Sequence, residues 1–263
     1  MATTIAVLSQ KGGTGKTTVV RTLADVLTRL GLDVLAIDLD PQGNLSDYFD
    51  VPADAHPTVA DVLAGRARAE EAVHGAVLPA NLGLAEAELM LAGKMGRETT
   101  LKRALRSLPD RYDIVLIDCP PSLGLLTVNA VVAADRALLS TAAQYFSMQG
   151  VEQALGVIEL ARESLNPDLE WLGVVVNIAN LRTTHSREAL AQLRERFGDR
   201  VFETDVRQSI RYAESAERGI SIVDYSPRSG ADYLALADEL LDRLGLAGER
   251  AGLRELRDRV APA

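Results

Sequence analysis

Short apolar runs alternate along this chain with longer stretches whose apolar residues recur at helical spacing. The first run, residues 4–8, is partly β-branched and stops at Ser9-Gln10-Lys11-Gly12-Gly13, which predicts a buried strand entering a glycine loop. From Lys16 the period changes. Val19, Leu23, Val26, Leu27 and Leu30 fall on one helical face, and Gly31 is placed to cap a helix over residues 16–30. Residues 33–38, 112–117, 137–140 and 172–176 predict further buried strands, and residues 123–133, 150–165, 186–197 and 230–244 predict helices. Strands of this kind alternating with amphipathic helices build an α/β fold of three layers, a mostly parallel twisted sheet with helices on both faces. Ligands of such folds gather at the carboxyl ends of the strands. Residues 51–94 are Ala- and Gly-rich and less regular, predicting short helices and one strand at the periphery.

At 263 residues the chain is near the upper size at which one core suffices, so one domain is expected over residues 1–245. The charged tail, residues 246–263, is expected to form a docked helix. Aromatic residues make up 4% against 47% hydrophobic, which calls for aliphatic helix-on-sheet packing. No apolar run reaches the roughly 18 residues that span a bilayer, and no basic stretch with an apolar core opens the chain, so a cytoplasmic location is expected. The single cysteine, Cys119, excludes an internal disulfide and any CxxC-held cluster or zinc, and reads as a small buried filler. His56, His74 and His185 are scattered without ligand spacing. A net charge of −9 excludes a surface that coats nucleic acid throughout and leaves room only for a local basic patch.

Candidate chemistry concentrates in Lys11-Gly12-Gly13-Thr14-Gly15-Lys16-Thr17-Thr18, which follows one predicted strand and opens one predicted helix. Glycines let backbone N–H groups turn toward phosphate, and a helix N-terminus adds positive dipole where the negative charge would sit. The expected ligands are ATP and Mg²⁺, with Lys16 on the β- and γ-phosphates and the Thr17 hydroxyl on the metal. Gln10 stands where the ordinary loop has glycine, and Lys11 adds a second lysine at the loop's start. The run ending Ile117-Asp118-Cys119-Pro120-Pro121 is a hydrophobic strand closed by an acid, which predicts Asp118 holding Mg²⁺ through a water. The two prolines stiffen the segment behind it. A second acidic strand end reads Asp38-Leu39-Asp40-Pro41-Gln42-Gly43-Asn44.

These three segments, in this order and about 20 and 80 residues apart, resemble the deviant phosphate loop, first switch and Walker B strand of the ParA/MinD group. Within that group the chain resembles the ParA/Soj-type chromosome or plasmid partition ATPases. The similarity runs through Gln144-Tyr145-Phe146-Ser147-Met148-Gln149-Gly150 to Tyr233 and covers nearly the whole chain. It implies slow, partner-stimulated ATP hydrolysis. On the same resemblance, Lys11 reaches the partner subunit's nucleotide much as an arginine finger does, Asp40 positions or deprotonates the attacking water, and Asp38 helps organise the Mg²⁺ shell. The family stacks adenine on a proline where this chain has Val206-Arg207-Gln208-Ser209, so Arg207 is expected to stack on the base instead, with Asn177 as a second contact. Because the loop begins by Lys11, no preceding helix-turn-helix domain and no operator-specific repression are expected.

The implied partners are a second copy on ATP binding, non-specific DNA, and a ParB-type centromere-binding protein, on the nucleoid. Between residues 182 and 228 nine arginines meet about eight acids in a chain of net −9, an asymmetry that suits a phosphate-binding stripe. Arg182 and Arg211 fall where the family's DNA contacts lie. A salt-bridged helix surface is the competing reading. A MinD-like membrane cycle would need an amphipathic C-terminal helix. Leu253, Leu256 and Val260 share helical spacing near Arg250, Arg254, Arg257 and Arg259, but no Phe or Trp is present, and Glu249, Glu255 and Asp258 dilute the charge. A metabolic phosphate-loop ligase or kinase would need a second substrate pocket, for which the sequence carries no feature.

Overall fold

The apolar runs form one parallel sheet because each is apolar on both faces. In β1 (Thr3–Leu8), Ala6 and Leu8 bury into one layer while Ile5 and Val7 bury into the other. The computed structural model describes residues 2–108, 110–144 and 147–260. Its remaining strands are β2 (Val34–Asp38), β3 (Val77–Leu78), β4 (Ile114–Asp118), β5 (Arg136–Ala142), β6 (Glu170–Ala179) and β7 (Val201–Arg207). They lie in the order β3-β2-β4-β1-β5-β6-β7, every pair parallel.

The helices are α1 (Lys16–Arg29), α2 (Asn44–Tyr48), α3 (Val59–Ala64), α4 (Gly83–Ala92), α5 (Thr100–Leu105), α6 (Leu125–Ala133), α7 (Ser147–Ser164), α8 (Thr184–Phe197), α9 (Arg211–Glu217), α10 (Ile222–Tyr225), α11 (Pro227–Arg243) and α12 (Glu249–Val260). One face of the sheet is covered by α1 and α11, with Val19, Leu23 and Leu27 of α1 and Tyr233, Leu236 and Leu240 of α11 fully buried. The opposite face carries α3 through α8. From β1 the sheet extends through β4, β2 and β3 on one side, strands that follow β1 directly in the chain, and through β5, β6 and β7 on the other. The order therefore reverses at β1 and opens a crevice at the strands' carboxyl ends.

The expected α/β sheet is present, and its strands differ from expectation in informative places. The peripheral strand of the irregular segment is β3, two residues long, at the sheet edge. Strand β7 escapes the apolar pattern because it lies at the other edge and carries Glu203, Asp205 and Arg207 along its half-exposed length. Helices α2, α9 and α10, of five, seven and four residues, are too short to show a period. Within the charged tail, residues 249–260 form α12. Leu253 of α12 is 4% exposed in the α1–α11 layer, and Arg250 is ion-paired to Asp238 (2.7 Å) and to Asp242 of α11. The side chains of Arg259 and Val260 lie outside the described residues, as do Tyr145 and Phe146. No described helix is long and apolar enough to cross a membrane.

Because Leu253 is held in the core, Leu253→Ala should destabilise the protein by roughly 2–4 kcal/mol. Denaturant unfolding checks this; an unchanged midpoint would mean that α12 is not docked.

Candidate functional site

The loop between β1 and α1 is shaped by its glycines and pinned by its hydroxyls. Gly13 and Gly15 take positive φ, 74° and 78°, a conformation that favours residues without a Cβ. A Cβ on Gly15 would also lie 2.2 Å from Asn177 Nδ2, so that close approach needs glycine. Asn177, buried at the end of β6, donates to Gly15 O at 3.0 Å, and Ser140 on β5 donates to Thr14 O at 3.2 Å. Thr14 Oγ1 donates to Ser9 Oγ (2.9 Å), which in turn donates to Lys11 O (3.0 Å). The loop is thus tied to β5 and β6, while its own amides open α1 without a side-chain cap.

Two carboxylates meet beside this loop by strand register. Asp38 pairs with Asp118 across β2 and β4, so both acids end their strands side by side, fully buried. Lys16, first residue of α1 and itself buried, donates its ammonium to Asp118 Oδ1. Burial opposes the lysine's charge, but the neighbouring Asp118 outweighs it and raises the Lys16 pKa. Asp38 is pushed up to about 7, first by burial and then by Asp118; opposing hydrogen bonds come from Asp40 N (3.0 Å) and from Ser46 N and Oγ (2.9 and 2.8 Å). Asp118 Oδ2 is buried without a hydrogen-bond donor among the described residues, and the Thr17 hydroxyl lies beside the same carboxylate. A buried, donor-free carboxylate oxygen next to a hydroxyl suits a hydrated cation. Among the described residues no three acidic, His or Cys side chains converge into a metal cage. The sparse set Thr17, Asp118 and Asp38 fits Mg²⁺, which keeps waters and takes phosphate oxygens.

A cavity of about 1250 Å³ runs from the loop toward α9 and takes in every loop residue from Lys11 to Thr18, along with Asp40, Asn177 and Arg207. Asp40 is buried at its wall and accepts from Gln42 N at 3.0 Å. Lys11 points differently from Lys16: its exposed ammonium donates to Gln144 Oε1 at 3.2 Å, at the mouth. Arg207 lines the cavity, but its guanidinium is held edge-on by Asp232 (2.7–3.0 Å) and Arg228 O, and that holding leaves only the guanidinium's flat face for a base. Arg182 and Arg211 lie outside the cavity lining. Arg182 is exposed, whereas Arg211 donates to Glu214 at 2.8 Å. Arg194 and Arg196 are also paired with acids, so much of the arginine stripe is salt-bridged, as the competing reading holds. The buried Cys119 thiol is pushed well above its ordinary pKa by burial, in keeping with a filler.

Sequence reasoning missed Arg21, Tyr48 and Ser46. Arg21 had a legible signal: it stands one helical turn beyond Thr17, on the loop-facing side of α1, within an apolar stretch. Ser46 and Tyr48 had none, since their helix is too short to read. Ile178 was missed too. It takes φ 53° at the cavity wall, a left-handed conformation unusual for a β-branched residue, where the pairing of β6 with β7 is irregular.

The chain matches the AAA_31 family, an AAA domain, over residues 2–171. It is 37% identical to the sporulation initiation inhibitor protein Soj of Bacillus subtilis over 249 residues, covering 91% of this chain and 98% of that protein. It is 40% identical to the chromosome-partitioning ATPase Soj of Thermus thermophilus over 245 residues, covering 91% and 96%. The structure of cobyrinic acid a,c-diamide synthase from Mycobacterium smegmatis, with bound ADP and magnesium, has a TM-score of 0.81 at 36% identity, covering 94% of this chain and 97% of that one. A phosphate loop at the switch point of a parallel sheet, flanked by two carboxylate-ended strands and opened by an additional lysine, Lys11, marks the deviant phosphate-loop ATPases. Within that class, this chain belongs to the ParA/Soj family.

The raised Asp38 has a measurable consequence. A carboxylate titrating near 7 in the folded state and near its ordinary value when unfolded makes stability fall as pH rises from about 4 to 7, and stay level above. Asp38→Asn removes that loss. Its stability relative to wild type should rise by a few kcal/mol across this range, at about 1.4 kcal/mol per pH unit. Urea unfolding at several pH values reads it; a difference independent of pH would show Asp38 to be ionised throughout.

Proposed function

We propose that this chain is an ATP-dependent DNA partition ATPase, whose ATP-bound form is a face-to-face homodimer that holds DNA without sequence preference. The observation that carries this reading is the division between its two loop lysines. Lys16 is buried on Asp118 inside the crevice, while Lys11 stands exposed at the mouth and holds only a neutral amide. An inward lysine suits the chain's own β- and γ-phosphates, and an outward one suits the phosphates of a facing subunit.

The loop amides and Lys16 bind the triphosphate; in taking up phosphate, Lys16 gives up Asp118. Asp118 and Thr17 would hold Mg²⁺, with Asp38 beside them as a further acceptor for its shell. Bound Mg²⁺ supplies charge neutralisation at the phosphates. Asp40 orients the attacking water as hydrogen-bond acceptor, and the partner's lysine at the position of Lys11 adds a cation to the γ-phosphate. Asn177 and Arg207 flank the base. Ser46 connects the chemistry to the rest of the fold, since its hydroxyl bonds Asp38 and accepts from Ala80 N at 2.9 Å, so a change at Asp38 reaches the segment after β3. Dimerisation joins the basic surfaces of two copies, with Arg182 and Arg211 as phosphate contacts. A ParB-type partner stimulates hydrolysis and frees the monomers, in the cytoplasm and on the nucleoid. Docking of α12 on α11 occupies the apolar face that a MinD-like membrane anchor would need. Similarity to the Mycobacterium smegmatis enzyme favours one second reading, ATP-dependent ligase chemistry. Turnover that requires cobyrinic acid, and neither DNA nor a partner, would support it.

A gel shift on unrelated DNA, run with ATP, with ADP and without nucleotide, tests the proposal. Retention with ATP alone is expected, and retention independent of nucleotide would overturn it. Lys16→Ala should abolish nucleotide binding, whereas Lys11→Ala should bind nucleotide but not dimerise on sizing with ATP. Asp40→Ala should slow turnover by about 10²-fold or more and accumulate the DNA-bound dimer; unimpaired turnover would remove Asp40 from the chemistry. Arg211→Ala should weaken DNA retention and reduce the slope of log affinity against log salt by about one, with dimerisation intact.

A further inference from the structure

Arg21 is the one strongly basic side chain of α1 that faces the cavity beyond the loop, and its surroundings are unusual. It is 4% exposed, and no carboxylate is among its described contacts. Instead its guanidinium lies over the Tyr48 ring, 4.7 Å from the centroid, and donates to Tyr212 O at 2.6 Å and Ser215 Oγ at 3.4 Å. Burial without a counter-charge disfavours the cation and lowers its pKa, so an arginine is a costly way to fill this space. What an aliphatic side chain could not supply is directional contact with two elements at once.

Those two elements both line the cavity. Tyr48 ends α2, which begins at Asn44, directly after the acidic segment of Asp38 and Asp40. Tyr212 and Ser215 belong to α9, and Tyr212 is packed edge-on against the fully buried Tyr233 at 5.6 Å, which fixes that wall to α11. Further along α1, Asp25 accepts from the Ser221 hydroxyl that caps α10, and Arg29 pairs with Asp224 in the same helix. Residues 21, 25 and 29 are spaced at i, i+4 and i+8, so α1 carries a polar ladder on one face, and only its first rung opens onto the cavity.

We propose that Arg21 is a positioning residue that clamps α9 to α2 and so sets the width of the nucleoside end of the cavity. The proposal rests on the reading of this cavity as an ATP site. The phosphate end belongs to the loop, whereas Arg21 lies five residues along α1 from Lys16, about 7.5 Å further on. Its effect is therefore confined to ligands that carry a nucleoside.

Calorimetric titration of the full chain with ATP, ADP and inorganic tripolyphosphate, each with Mg²⁺, separates the two ends. Arg21→Met should weaken ATP and ADP about tenfold and leave tripolyphosphate within about twofold of wild type. Tyr48→Leu, which removes the ring and keeps the arginine, should act in the same direction. The double variant should lose little more than either single one, because both break one clamp. If Arg21→Met does not fold, Tyr48→Leu alone decides. Unchanged ATP affinity in the folded variants, or an equal loss for tripolyphosphate, would overturn the clamp. A wild-type chain that binds neither ATP nor tripolyphosphate would instead overturn the ATP reading itself.

Discussion

Two carboxylates buried side by side, with one buried lysine held on the second of them, set the conditions for everything else in this molecule. Parallel pairing of β2 with β4 puts Asp38 in register with Asp118, and the first residue of α1 brings Lys16 onto the second acid. One buried cation cannot neutralise two buried anions. The remainder shows as an Asp38 held near neutrality in its titration and an Asp118 oxygen left without a donor. The site's charges are unbalanced by its own residues, and a metal cation with a phosphate chain is the chemistry that balances them.

The fold delivers this unbalanced centre at low cost because it puts the polar groups where the sheet ends. Above Asp38 and Asp118 the same strands are wholly apolar, so the desolvated layer ends at one level across β1, β2 and β4. The glycine loop then takes over with backbone amides instead of charged side chains, pinned from β5 and β6 by Ser140 and Asn177. Rigid anchoring there contrasts with the segment from Asp40 to Tyr48, which buries Leu45 in the core but whose polar links run through Asp38, Ser46 and the face of Arg21. A segment held through groups that also face the ligand will respond to the ligand, as a nucleotide switch requires.

How much of this was legible in the sequence follows from what each signal depends on. The central strands were readable because both faces are buried, which leaves an unbroken apolar run, and the loop was readable because its chemistry is written in eight consecutive residues. Asp38 and Asp118 each close such a run, while Asp40 stands two residues beyond the first, and the expected roles of Asp38 and Asp40 came from the family resemblance. Strand β7 was not, since an edge strand with one wet side alternates charged and apolar residues. Arg21, Ser46 and Tyr48 were missed for another reason: their significance comes from contacts with residues as distant as Tyr212 and Ala80, and no local pattern encodes those. The surface arginines illustrate a different limit. Clustering left a basic stripe and a salt-bridged face both open, and the fold sets Arg194, Arg196, Arg207 and Arg211 against acids that composition alone could not pair.

The most direct measurement is a crystal structure of the chain grown with Mg²⁺ and a non-hydrolysable ATP analogue. The account predicts that Lys16 will have left Asp118 for the phosphates, with a hydrated metal between Thr17 and Asp118. A crevice that stays empty, or an analogue bound while the Lys16–Asp118 pair remains closed and no metal stands beside it, would contradict it.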